Sequence, residues 1–173
     1  MGGKESAKKM KVFHGATAII SRPLVWVGRK NLDFGEGFYT TDIKSQAINW
    51  AKRYADIRGE KPVVNIYDFD KEEVRKEFRY LTFERYDREW MEFIVANRTG
   101  KKAWQKYDVV EGGVANDRVI DTIEAYISGL ISAEMAIAEL SKHAPNNQIC
   151  ILRQEIIDNY LHFVKSEALS KGR

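Results

Sequence analysis

An α+β domain is the architecture this sequence predicts, because strand-like and helix-like segments interleave without a regular strand–helix–strand alternation. Two further observations agree. No Gly-x-Gly-x-x-Gly follows a strand, which leaves a Rossmann fold without support. At 173 residues and 20.0 kDa, with 44% hydrophobic and 31% charged residues, the chain suits one well-packed globular domain and is too short for two. Residues 1–9 are basic at Lys4 and Lys8-Lys9 with no apolar run behind, so they read as a disordered tail rather than a secretory signal. The single ordered domain is expected over 10–173.

The elements follow in order. Residues 11–16 form a first strand, and 17–36 are irregular, punctuated by Pro23, Gly28, Arg29-Lys30-Asn31 and Gly35. A short strand at 37–41 feeds a helix capped by Asp42, whose Ile43, Ala47, Trp50, Ala51 and Tyr54 recur at helical spacing until Gly59. Residues 62–69, β-branched and aromatic with alternation at Val64, Ile66 and Asp68, form a strand, and 79–83 are extended. Asp87 opens a helix carrying Trp90, Met91, Ile94 and Val95, and 107–110 form a strand ending at Gly112-Gly113. Helices at 117–130, broken at Gly129, and 132–143 come next. Pro145-Asn146-Asn147 turns the chain into a strand at 148–152, and a last amphipathic helix at 154–164 carries Ile156, Ile157, Tyr160, Leu161, Phe163 and Val164.

Composition excludes several classes. Nothing approaches an apolar run of about 18 residues, so no membrane span or membrane partner is expected. The net charge of +3 is spread among acids and permits an anionic partner without indicating one. Cys150 is the only cysteine, which excludes an internal disulfide and a Cys-based zinc site; within Ile149-Cys150-Ile151-Leu152 it reads as a core thiol, and this usage fits a reducing cytoplasm. His143 and His162 lack a second ligand one helical turn on, so no metal site is expected. Trp26, Trp90 and Trp104 read as packing.

Two pieces of sequence carry chemistry. In Val12-Phe13-His14-Gly15 a strand-end imidazole precedes a glycine whose bare backbone lets a flat amide approach. In Gly37-Phe38-Tyr39-Thr40-Thr41-Asp42, Tyr39 stands eleven residues before Trp50, one on a strand and one on a helix. Two rings facing across a slot suit a flat cationic heterocycle; core packing is the alternative for both. A third stretch, Val109-Val110-Glu111-Gly112-Gly113-Val114-Ala115-Asn116-Asp117-Arg118, is dense in polar groups after a strand. Asp117 there suits catalysis and Arg118 a pyrophosphate clamp, or Asn116 and Asp117 merely cap the next helix.

The early His14-Gly15, the Gly37-Phe38-Tyr39 motif and Trp50, in that order and spacing, resemble the diphtheria-toxin and poly-ADP-ribose-polymerase branch of the ADP-ribosyltransferase superfamily. The resemblance implies split mixed and antiparallel sheets that form an NAD cleft flanked by helices. It implies that His14 bonds a ribose hydroxyl of NAD and Gly15 the nicotinamide amide, and that Tyr39 and Trp50 sandwich the nicotinamide ring. Phe38 counts among the NAD-binding residues. The serine that the polymerases place three residues before the second aromatic is Ala47 here. Their late-strand glutamate matches Gln148, in Asn147-Gln148-Ile149-Cys150-Ile151-Leu152. A carboxylate there stabilises the oxocarbenium-like ribose; Gln148 accepts a hydrogen bond but brings no charge, a loss of roughly 3 kcal/mol of transition-state stabilisation. Mono-transfer is therefore expected, not chain extension, with Glu111 or Asp117 as substitute acids.

The whole ordered chain also resembles a bacterial family of unknown function, DUF3990, through Asn31-Leu32-Asp33-Phe34-Gly35-Glu36-Gly37-Phe38-Tyr39, Tyr107-Asp108-Val109-Val110 and Val114-Ala115-Asn116-Asp117-Arg118. That likeness implies a toxin or defence setting. The expectation is a cytoplasmic mono-ADP-ribosyltransferase that consumes NAD, modifies a protein or nucleic acid and answers to an antitoxin or regulatory protein. A non-catalytic NAD or ADP-ribose binding module is the alternative.

Overall fold

The computed structural model describes residues 9–27, 33–143 and 146–170. All of the expected tail except Lys9 lies outside them, as do Gly28, Arg29-Lys30-Asn31, Leu32 and Pro145. The fold is α+β, with six helices and two sheets among the described residues. Strands β1 (Met10–Ala16), β3 (Val63–Phe69) and β7 (Leu161–Ala168) form an antiparallel sheet in the order β1-β3-β7. Strands β2 (Phe38–Thr40), β4 (Tyr80–Thr82), β5 (Val109–Gly112) and β6 (Gln148–Ile151) form a mixed sheet in the order β2-β6-β5-β4, in which β4 and β5 run parallel. No helix of the described residues is long and apolar enough to cross a membrane.

Alternation of side chains builds three interfaces from these strands. Val12, Tyr67 and Phe69 of one sheet meet Val109, Ile149 and Ile151 of the other in a shared core. Helix α1 (Lys44–Arg58) covers the outer face of the three-stranded sheet, laying Ala47 and Ala51 on Val64 and Ile66. Helices α3 (Arg88–Arg98), α4 (Asp117–Ile127) and α5 (Ala133–Leu140) bury Trp90, Ile94, Val119, Ile123 and Leu140 against Val110 and Cys150 on the far face of the mixed sheet. The short helices α2 (Lys71–Glu77) and α6 (Gln154–Tyr160) add Val74, Ile156 and Ile157 to the shared core.

Four sequence expectations are corrected. The expected helix at 154–164 ends at Tyr160, and Leu161–Ala168 is a strand paired with β3, with a register shift at Val164. Leu161 and Phe163 alternate toward the core as a strand requires, but they also extend the helical spacing of Ile156, Ile157 and Tyr160, so periodicity alone could not separate the two. The open edge of β3 decides in favour of the strand. Asp42 does not cap α1: the Thr41 hydroxyl accepts from Ile43 N at 3.0 Å, while the Asp42 carboxylate accepts from Asn147. The helix expected over 117–130 stops at Ile127, ahead of Gly129 in the left-handed region at φ 81°. Trp26 is 67% exposed, whereas Trp90 is fully buried.

A cleft where the two sheets part

The sheets are joined edge to edge at one isolated bridge. Phe13 N donates to Thr41 O at 2.8 Å and Thr41 N to Phe13 O at 2.9 Å. Beyond it β1 and β2 diverge, and a cleft of about 610 Å³ opens, within the range of ligand sites. His14, Gly15, Phe38, Tyr39, Trp50 and Gln148 all line it.

His14 follows the bridge directly. Its Nδ1 lies 2.5 Å from the Tyr39 carbonyl oxygen, which can only accept, so the proton sits on Nδ1 and Nε2 is left as an acceptor. Burial lowers its pKa, against the opposing pull of that hydrogen bond, and keeps the ring neutral. The imidazole stacks on Phe38 at 4.3 Å between centroids, tilted by 32°.

Gly15 has two roles. Its backbone N–H and C=O share an edge of β1 with those of Phe13, two residues earlier, so they face the gap rather than β3. On the other side α1 presses close: a Cβ at Gly15 would sit 2.2 Å from Ala47 O and 2.7 Å from Ala51 N. Ala47, where the polymerases keep a serine, is fully buried in this contact.

Tyr39 is held at its phenol end. Its hydroxyl donates to Gly35 O at 2.6 Å and accepts from Phe34 N at 3.1 Å. Burial, with the Cys150 thiol alongside, holds its pKa well above the ordinary value, so it stays a neutral phenol. Trp50 enters from α1, and Tyr54, one turn on, lines the cleft with it.

Gln148 opens β6. Because Tyr39 pairs with Cys150, and Gln148 shares the face of Cys150, the tyrosine and the glutamine stand on one face of the sheet. Gln148 is 5% exposed and its amide has no hydrogen-bond partner among the described residues.

Three candidates lie elsewhere. Glu111 pairs with Ile149 and therefore points to the opposite face, where Lys71, Tyr80 and Asn147 bond its carboxylate; it does not line the cleft. Asp117 is 81% exposed at its side chain and meets Arg53 at 3.6 Å. Neither it nor the exposed Arg118 lines the cleft, since both occupy the first turn of α4, which Asn116 caps by accepting from Val119 N at 3.1 Å.

The cleft also holds charged side chains. Arg22, Arg58 and Arg98 line it, as does Asp33, its only carboxylate among the described residues. Asp33 accepts from Arg98 Nε at 2.7 Å; burial raises its pKa against that pairing. Asp33 was within a motif noted on the sequence, but its approach to Arg98 on α3 has no local signal.

These features define a class: an α+β domain with two facing sheets that part at one edge over a ligand-sized cleft walled by aromatic rings. Within that class the chain belongs to the family described as protein of unknown function (DUF3990), whose model matches residues 10–163. No curated protein and no solved structure matches it.

Proposed function

We propose that this protein binds NAD in the cleft and transfers its ADP-ribose to a protein or nucleic-acid acceptor. One observation carries the reading: an imidazole, two aromatic rings and the side-chain amide of Gln148, drawn from β1, β2, α1 and β6, share one cavity. Each matches a need of the donor. The flat nicotinamide ring stacks on Tyr39 and Trp50, its amide bonds the exposed backbone of Gly15, and a ribose hydroxyl donates to Nε2 of His14. Arg22 and Arg58 line the same cavity and suit the pyrophosphate in place of Arg118.

In the transfer, the bond from ribose C1′ to the nicotinamide nitrogen breaks and its electron pair leaves with the nicotinamide. A lone pair of the acceptor forms the new bond to C1′, and the acceptor's proton passes to solvent. Gln148 orients the ribose by accepting from its 2′-hydroxyl. The neutral amide lacks a carboxylate's stabilisation of the cationic ribose, so turnover is slow and ends after one unit.

A specific observation favours a second reading, a binding module without turnover. The only described carboxylate of the cleft, Asp33, is already ion-paired with Arg98. Calorimetry with NAD and with ADP-ribose, joined to a nicotinamide-release assay, separates the two. The transferase reading expects release that falls at least tenfold in folded His14→Ala and Tyr39→Ala variants and rises in Gln148→Glu. Tight binding with no release from either parent or Gln148→Glu assigns the module instead.

A further inference from the structure

Glu111 points away from the cleft, yet it is among the most heavily bonded side chains of the molecule. Its carboxylate receives Lys71 Nζ at 2.9 and 3.2 Å, the Tyr80 hydroxyl in a short hydrogen bond, and Asn147 Nδ2 at 3.0 Å. The Glu111 side chain is 9% exposed and that of Lys71 21%, so a desolvated ion pair lies against the shared core. Such pairs contribute little net stability compared with apolar residues of the same volume.

What the pair does is visible one residue from Gln148. The two hydrogens of the Asn147 amide go to two carboxylates, Glu111 at 3.0 Å and Asp42 at 3.0 Å. Both lone pairs of its backbone carbonyl are taken as well, by the Thr41 hydroxyl at 2.7 Å and Gln46 Nε2 at 2.6 Å. On the other side of Gln148, Ile149 O accepts from the Thr40 hydroxyl at 3.0 Å. The chain is thus clamped on both flanks of Gln148, whose amide makes no hydrogen bond among the described residues and lines the cleft.

We infer that Glu111 is a positioning residue: through Asn147, and with Lys71 as its counter-ion, it fixes the start of β6 so that the Gln148 amide projects into the cleft. The inference deepens the reading of the cleft as a donor site, but the clamp itself is testable without any ligand.

Two altered proteins serve. Asn147→Ala removes the link alone, and the pair Glu111→Leu with Lys71→Met removes the clamp without stranding a buried charge. Amide hydrogen exchange on the free protein is the first measurement. Exchange at Gln148 and Ile149 is expected to accelerate at least tenfold in both, while that at Ile151 keeps its parent rate. Unchanged exchange at the strand start, or equal acceleration along all of β6, overturns the inference.

The second measurement compares affinity for NAD with that for NAD lacking the 2′-hydroxyl on its nicotinamide ribose. The parent is expected to prefer NAD about tenfold, the worth of one hydrogen bond, and both altered proteins to lose that preference while still binding nicotinamide. A preference kept in both overturns the positioning of the side chain. If the parent binds no NAD while the strand start loosens as expected, the donor reading falls and the clamp stands.

Discussion

The imidazole of His14 is committed before any ligand arrives, since its one proton is spent on the Tyr39 carbonyl and burial discourages a second. This has a pH consequence of definite sign. The unfolded chain takes up a proton near the ordinary value of 6.5, whereas the fold holds the pKa below it. Below that pH the unfolded state binds more protons, so stability rises with pH and is lost as pH falls from 6.5 toward the folded value. Urea midpoints measured between about pH 5 and about pH 8 should show this slope in the parent and a flatter one in His14→Gln. At the residue scale much of the cleft was legible. His14, Tyr39 and Trp50 lie close along the chain on β1, β2 and α1, so spacing in the sequence tracks spacing in the fold, whereas Gln148 was reached only through its likeness to a family motif. Glu111 was misplaced for the same reason in reverse: strands alternate faces, and nothing in the local sequence tells which face opens on the cleft.

At the scale of elements, the irregular segment after β1 carries much of one cleft wall and is tied down by β3. Asn65, fully buried, donates from Nδ2 to Ala18 O at 3.0 Å and accepts from Ile20 N at 2.9 Å, and the Tyr67 hydroxyl donates to Ile20 O at 2.5 Å. Gln154 of α6 holds the next stretch, accepting from Val25 N at 3.0 Å and donating to Pro23 O at 3.0 Å. Asn65→Leu strands two backbone groups and should cost about 2 kcal/mol of stability by denaturant unfolding. The same change should weaken NAD binding several-fold by calorimetry, because Ile20 and Arg22 lose their anchor; unaltered affinity would show that this wall plays no part. Arg22 escaped sequence reasoning because its approach depends on this tethered path. Strand β7 escaped it because the pairing that decides its conformation lies nearly a hundred residues away, at Val63–Phe69.

Across the whole molecule, the two sheets share a core at one side and are tied at the other by the Phe13–Thr41 bridge and the His14–Tyr39 hydrogen bond, so a ligand in the gap contacts both sheets and α1 together. Binding only to the folded form, NAD at a hundred times its dissociation constant should add about 2.7 kcal/mol. For a domain of this size that raises the melting temperature by about 5 to 10 °C, readable by scanning calorimetry; no shift at saturating NAD would remove the donor reading altogether. The fold class was legible because the order of elements rules out a doubly wound sheet. The parting of the sheets was not, since it arises from pairings between distant segments. Gly15 adds a last consequence. With no methyl group to space them, α1 and β1 meet backbone to backbone, and the indole of Trp50 and the imidazole of His14 are mounted on one rigid caliper. Main-chain atoms rather than pliable side chains set that spacing, so any side chain at position 15 would have to push the helix off the strand.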